Sequence, residues 1–363
     1  MRMTRKIMMM AALLGLMSPV AQALTEMPDA DMSVVTGQSL FTSTYVAPGG
    51  TNPNAGIGFY RIGVEAKMEI NANIDKLRLG CDGAAGTGLC DISIDHLRLT
   101  GVAGTDVVNS APGTDFLLNQ PFFEFAIKNP TTPATRQVVG IRFGALEALG
   151  AMTIGENPDG ANLGEAGELG INTLSGDMTA NITNAVMTNV CQGTFSGSGV
   201  CGGFAGLSGS ATVASFSQAL VLKRASIIAD LGPMTAQASS SLLGLTLNNT
   251  HIVNEPLKAI HRIVVASDAN GTTSTSDFYL SMQSQNITWQ KTSTNSFTGS
   301  VAAQTGWWMS IPQVQMTNIT SNAQVEVPFG AVVGNIFGGA INIQPLDLGQ
   351  KPASNCWGST NFC

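Results

Sequence analysis

Charge is scarce in this chain. Only 11% of its 363 residues are Asp, Glu, Lys or Arg, well under the usual quarter. Aromatics are also few, at 6%, with three Tyr and four Trp. That is too few to furnish the two aromatic girdles of a transmembrane β-barrel. It is also poor material for the stacking platforms of a carbohydrate-processing cleft, although a glycosidase needs only two juxtaposed carboxylates. Histidine occurs three times, as His96, His251 and His261, with no paired ligand spacing and no C-x-x-C beside it, which argues against a metal site. No Ser lies in G-x-S-x-G, and no G-x-x-x-x-G-K-S/T phosphate loop is present. Gly197-Ser198-Gly199-Val200-Cys201-Gly202 matches G-x-G-x-x-G formally, but no strand precedes it and no helix follows. The sequence therefore predicts no catalytic residues, no cofactor and a chain that is not an enzyme. Beyond residue 23 there is no apolar run of 18 residues, so no transmembrane helix is expected.

The beginning of the chain is organised differently. Arg2, Arg5 and Lys6 precede a short apolar run from Met8 to Met17, and Ala21-Gln22-Ala23 ends it. This is the layout of a secretory signal peptide over residues 1–23. Its removal leaves 14 Lys and Arg against 24 Asp and Glu, a formal charge of −10. Such a chain repels nucleic acid and anionic lipid surfaces. With 41 glycines and many Ser, Thr and Asn, it has the composition of an exported surface or matrix protein. The six cysteines fit that compartment. They fall into three close couples, Cys81 with Cys90, Cys191 with Cys201, and Cys356 with Cys363, which predict three local disulfides.

Residues 24–45 form a separate segment and linker. In Leu24–Gln38, Pro28 can open a two-turn helix, Asp29 and Asp31 suit its N-terminal end, and Gly37 can close it. Met27, Met32, Val34 and Val35 are its candidate partner contacts. Period-two alternation then dominates. Ile62 to Ile74 reads as one long half-buried strand, and Phe123, Phe125 and Ile127, then Val139, Ile141 and Phe143, continue the pattern. Ala145–Ala151 has a helical composition, and residues 157–209 read as loops and short strands. Asn270-Gly271 is a hairpin-type turn between Arg262–Val265 and Phe278–Met282. Trp307–Ile311, Val325–Phe329 and Ile341–Ile343 complete the strands. Trp307-Trp308 reads as one buried and one rim residue, with a contact surface for a partner as the alternative. The expected body, residues 46–350, is all-β and predominantly antiparallel, sandwich-like or an open sheet assembly, with one or two short helices. A division into subdomains falls near 190–210, and residues 351–363 form a disulfide-closed tail. A β-solenoid is the rival architecture.

One stretch bears on that choice. Ile74-Asp75-Lys76-Leu77-Arg78-Leu79 returns as Ile94-Asp95-His96-Leu97-Arg98-Leu99. Stacked as solenoid repeats, the copies oppose Asp75 to Asp95 and Arg78 to Arg98, which is unfavourable. Folded as an antiparallel hairpin closed at Cys81 and Cys90, Lys76 meets Asp95, Asp75 meets His96, and Leu77 meets Ile94. The apolar phase changes between Ile74 and Leu77 and again between Ile94 and Leu97. These changes lie opposite each other, so one bend accounts for both.

The segment LTEMPDADMSVVTGQ, residues 24–38, resembles one found near the mature N-terminus of many exported Gram-negative proteins. PFFEFAIKNPTTPATRQVVGIRFGA, residues 121–145, and GINTLSG, residues 170–176, are similar to a subset tied to filament or pilus assembly, the fil-type proteins. The resemblance implies a non-enzymatic structural or assembly protein of the bacterial surface or periplasm. Its partners would be further copies or envelope and filament proteins. The competing expectation is a periplasmic or outer-membrane-associated carrier of an apolar ligand.

Overall fold

The computed structural model describes residues 40–83, 86–102, 115–155, 169–183, 185–193, 208–213, 216–225, 228–239, 244–256, 263–317 and 320–343. The expected signal segment, Leu24–Gln38 and the tail at 351–363 lie outside them. The strands are β1 (Phe41–Val46), β2 (Ile57–Val64), β3 (Lys67–Ile70), β4 (Ala72–Leu79), β5 (Ile92–Thr100), β6 (Phe116–Lys128), β7 (Gln137–Thr153), β8 (Ile171–Thr183), β9 (Ala185–Gly193) and β10 (Ser208–Val213). They continue as β11 (Phe216–Ala225), β12 (Ile228–Ser239), β13 (Gly244–Pro256), β14 (Ile263–Val265), β15 (Tyr279–Gln283), β16 (Ile287–Thr288), β17 (Ala302–Ala303), β18 (Gly306–Thr317), β19 (Thr320–Pro328) and β20 (Ile341–Ile343). The one helix among the described residues, α1 (Phe329–Ile336), sits between β19 and β20. The Asn335 side chain ties α1 down, accepting from Asn248 N at 3.0 Å and donating to Gly339 O at 2.8 Å.

This is the expected β-rich class, in the form of one large mixed sheet with a smaller one beside it. The large sheet runs β1-β2-β6-β7-β14-β18-β8-β5-β4, with β3, β11 and β15 attached to its flanks. Pairing is mostly antiparallel; β18 and β8 run parallel. β7 pairs with β5 and β14, β14 with β18, β18 with β8, and β8 with β5, so this part of the sheet returns upon itself. Its strands contribute Ile94, Leu97, Met152, Ile171, Ile263, Val265 and Val314 to one buried apolar cluster. The second sheet, β19-β9-β10-β12-β13-β20, adds Met187, Leu247, Ile252, Val327, Ile341 and Ile343 to the same core.

The hairpin of β4 and β5 has the predicted register. Ala72 pairs with Leu99, Ile74 with Leu97, Lys76 with Asp95, Leu77 with Ile94 and Leu79 with Ile92. The regular ladder skips Asp75 and His96, and His96 takes a left-handed φ of 49°. The bend therefore falls where the apolar phase changes. Cys81 and Cys90 are bonded. Cys191 lies in β9, but its side chain, like Cys201, Cys356 and Cys363, is outside the described residues.

Other expectations are corrected. Ile62–Ile74 is three strands, not one, because the chain bends at Glu65-Ala66, where its register on β6 slips by one residue, and exchanges β6 for β5 as its partner after Ile70. Ala145–Ala151 is the interior of β7, not a helix. It pairs with β6 on one edge, and tertiary pairing overrides its Ala- and Leu-rich propensity. The region 157–209 contains the long strand β8 and also β9. The turn at Asn270-Gly271 forms, with Gly271 at φ 68° and its N–H on Asp268 O. The strands it joins do not pair with each other; β14 and β15 lie one after the other between β7 and β18.

Candidate functional site

Neighbouring strands of the large sheet place one row of side chains across each face. On the inner face Arg61 pairs in register with Glu124, Glu124 with Arg142, Arg142 with Ser281, and Ser281 with Trp308. All five are buried. The cover is the connection from β15 to β18, residues 284–305. Its β16–β17 ladder and Trp289 pack with Phe59, Ala126, Val139, Tyr279 and Trp308. Gly140 makes room: a Cβ there would come within 2.6 Å of Ile287 Cδ1 and 3.1 Å of Trp289 Cζ2.

Glu124 is the hub beneath this cover. It accepts from Arg61 Nε at 3.2 Å, Arg142 Nε at 2.6 Å and Gln290 Nε2 at 2.5 Å. The Arg142 guanidinium stands over the rings of Phe122, Tyr279 and Trp289, at 5.3, 4.9 and 5.1 Å from their centroids. Arg61 Nη1 donates to Thr292 O at 3.0 Å, and Asp277 accepts from Thr292 N at 2.6 Å while pairing with Lys291 at 3.3 Å. Next to it, Asp177 accepts from Trp308 Nε1 at 2.8 Å and Ser310 Oγ at 3.2 Å. Burial nevertheless pushes the Asp177 carboxyl above its usual range, against those two hydrogen bonds. Buried charges persist only when paired and hydrogen-bonded, and here they fasten the covering segment to the sheet. Glu124 and Arg142 have no exposed surface, while Lys291 at the margin of the network is partly exposed.

The outer face is the reverse. Ser43 pairs with Ile62, Ile62 with Phe123, Phe123 with Phe143, Phe143 with Leu280, and Leu280 with Met309. A second row runs Tyr45, Tyr60, Phe125, Ile141, Met282 and Trp307 through the same strands. The rings of Phe123 and Phe143 meet at a tilt with centroids 5.0 Å apart, and those of Tyr45 and Tyr60 at 4.4 Å. Phe41 is 67% exposed, Phe123 54% and Ile62 52%; Tyr45, Tyr60, Val138 and Met282 are exposed as well. The period-two alternation holds, but on β2 and β6 the charged Arg61 and Glu124 are covered while Tyr60, Ile62 and Phe123 face solvent, and β1 is exposed on both faces as far as Tyr45.

The clasped hairpin is anchored by a second buried carboxylate. Asp91 accepts from Arg224 Nε at 2.6 Å and Trp307 N at 2.9 Å, and Thr173 Oγ1 donates to Cys90 O at 2.9 Å. Gly80, at φ 64°, leaves the space that the Asp91 carboxylate fills. On the same hairpin burial pushes Asp95 up, but hydrogen bonds from Asn172 and Arg78 outweigh it and hold the carboxyl below its usual range.

Of the candidate contacts named from sequence, Trp307 lies half-buried in the outer row and Trp308 is fully buried on the inner face. Met27, Met32, Val34 and Val35 lie outside the described residues, as does His261. His96 sits 3.5 Å from Asp75, and His251 Nε2 is 3.1 Å from Asn249 Oδ1. Among the described residues no group of three or more His, Cys, Asp or Glu is placed to hold a metal ion, and no helix is long and apolar enough to cross a membrane. Sequence reading missed the network of Arg61, Glu124 and Arg142. Its available signal was a single charge set between apolar neighbours in each strand: Tyr60-Arg61-Ile62, Phe123-Glu124-Phe125 and Ile141-Arg142-Phe143.

No family model matches the chain, and neither a curated protein nor a solved structure matches it.

Proposed function

We propose that this is an exported, non-enzymatic assembly protein of the bacterial envelope or surface, acting in a filament or pilus-type structure through the outer face of β1, β2, β6 and β7. The observation that carries the reading is the exposure of Phe41, Tyr45, Ile62 and Phe123 on one face. Contiguous apolar surface of this kind marks sites of association. On β1 the face reaches from Phe41 to Tyr45, about 14 Å at ~3.4 Å per residue. A face of this kind suits contact with a protein surface. Export is supported by the basic-apolar-small layout of residues 1–23 and by the Cys81–Cys90 bond, since disulfides persist in oxidising compartments.

Sedimentation velocity of the mature chain tests this. Association of the unsubstituted chain is expected. The variant Ile62→Lys with Phe123→Lys should shift it toward monomer with an unchanged far-UV circular dichroism spectrum, because both positions are exposed. Undiminished association in this variant would sink the reading.

A further inference from the structure

The two ends of the large sheet differ in how they treat their open edges. β4, at one end, carries Asp75, Lys76 and Arg78, all exposed, and is bent at Asp75. Charges and bends are the usual means of preventing an edge strand from pairing with another chain. β1, at the other end, is FTSTYV. It has no charged residue, no proline and no bulge in its regular ladder with β2. Among the described residues β2 is its sole partner. Among the described residues it therefore has an open second edge from Phe41 to Val46, with backbone N–H and C=O groups along it.

We infer that β1 pairs antiparallel with β1 of a second copy of this chain, about a two-fold axis through Ser43. This rests on the assembly reading and adds the partner and the register. Phe41, Ser43 and Tyr45 face outward. Two copies keep these residues on a common face only when paired residue numbers sum to an even value, because a one-residue slip exchanges the faces. Of the even registers, the one centred on Ser43 sets Phe41 opposite the partner's Tyr45 and Tyr45 opposite the partner's Phe41. Aromatic cross-strand pairs are favourable. Thr42 then faces the partner's Thr44. The apolar rows run uninterrupted from one copy into the next, and the strand is uncharged, so the acidic chains meet along a line free of like charge.

Cysteine crosslinking tests the register on the mature full-length chain. Ser43→Cys brings two thiols opposite each other, within the ~4.4–6.8 Å Cα separation that a disulfide needs. Mild oxidation should convert it to a reducible dimer in several-fold greater yield than the unsubstituted chain, which controls for the native cysteines. Phe41→Cys and Thr44→Cys should crosslink no more than that control. In the Phe41→Cys variant the two introduced thiols lie about 14 Å apart along the strands. In Thr44→Cys they are offset along the strands and point to the other face. The double variant Phe41→Cys with Tyr45→Cys should restore crosslinking. Equal yields from Ser43→Cys, Phe41→Cys and Thr44→Cys would overturn the inference, as would a Ser43→Cys chain that associates without crosslinking; the assembly reading would survive that second outcome. A chain monomeric at all concentrations would overturn both.

Discussion

Beneath residues 284–305 the large sheet buries Arg61, Glu124 and Arg142, whereas farther along the same sheet it buries Ile94, Met152, Ile171 and Val265. β7 contributes to both regions, with Arg142 in the first and Met152 in the second. The apolar region is covered by other strands and needs only close packing. The ionic region is covered by a single connection with little regular structure of its own, the short β16–β17 ladder and the Trp289 cluster. Its hold depends on Glu124 reaching Gln290 and on Arg61 reaching Thr292 O. Charge at the covered face has a consequence for the other face. The apolar residues that alternate with Arg61, Glu124 and Arg142 are directed outward, and they form the surface proposed above for assembly.

The contrast can be broken most severely at Glu124. Glu124→Gln leaves two buried guanidinium groups without their counter-charge and should cost about 3–5 kcal/mol in urea unfolding. Ile94→Val, in the apolar region, should cost about 0.5–1.5 kcal/mol. Equal losses would mean that the two regions do not differ in this way. Next in size is the clasp. Replacing Cys81 and Cys90 together by Ser should lower stability by roughly 2–3 kcal/mol, the chain-entropy value for a loop this short, read as a fall in Tm without reductant.

The smallest expected effect sharpens the comparison through pH. Asp177, with its folded-state pKa raised, contributes stability that is fully present below the unfolded value, about 3.9, and is lost as pH rises through the folded value. Asp95, with its folded-state pKa lowered, contributes stability present above the unfolded value and lost as pH falls through the folded one. At neutral pH Asp177→Asn should therefore unfold at a slightly higher urea concentration than the parent, and Asp95→Asn at a lower one. On acidification the Asp177 difference should shrink as pH falls from the raised folded value toward about 3.9, and the Asp95 difference only as pH falls below about 3.9. Differences of the same sign for the two variants would contradict the opposed environments.

The β4–β5 hairpin was legible because its partners lie within thirty residues and share one loop, so apolar phase, charge pairing and cysteine spacing all constrain one register. Strand content was legible for β6, the start of β7, β18 and β20 through alternation. Ala145–Ala151 was not, because its helix-favouring residues sit where β6 supplies the backbone pairing. The network was hidden for a related reason. Arg61, Glu124 and Gln290 are brought together from β2, β6 and the distant 284–305 connection, with separations of 63 and 166 residues.

By itself the sequence determined the β-rich class, the bent hairpin with its Cys81–Cys90 clasp, and the period of alternation in the strands. These depend on neighbouring residues and on pairs close along the chain. Only the tertiary structure decided which face of each strand is covered. Alternation divides a strand into two sets of side chains without saying which set is inside, and here residues 284–305 cover the charged one. That choice leaves Phe41, Tyr45, Ile62 and Phe123 at the surface, with β1 as an open edge beside them.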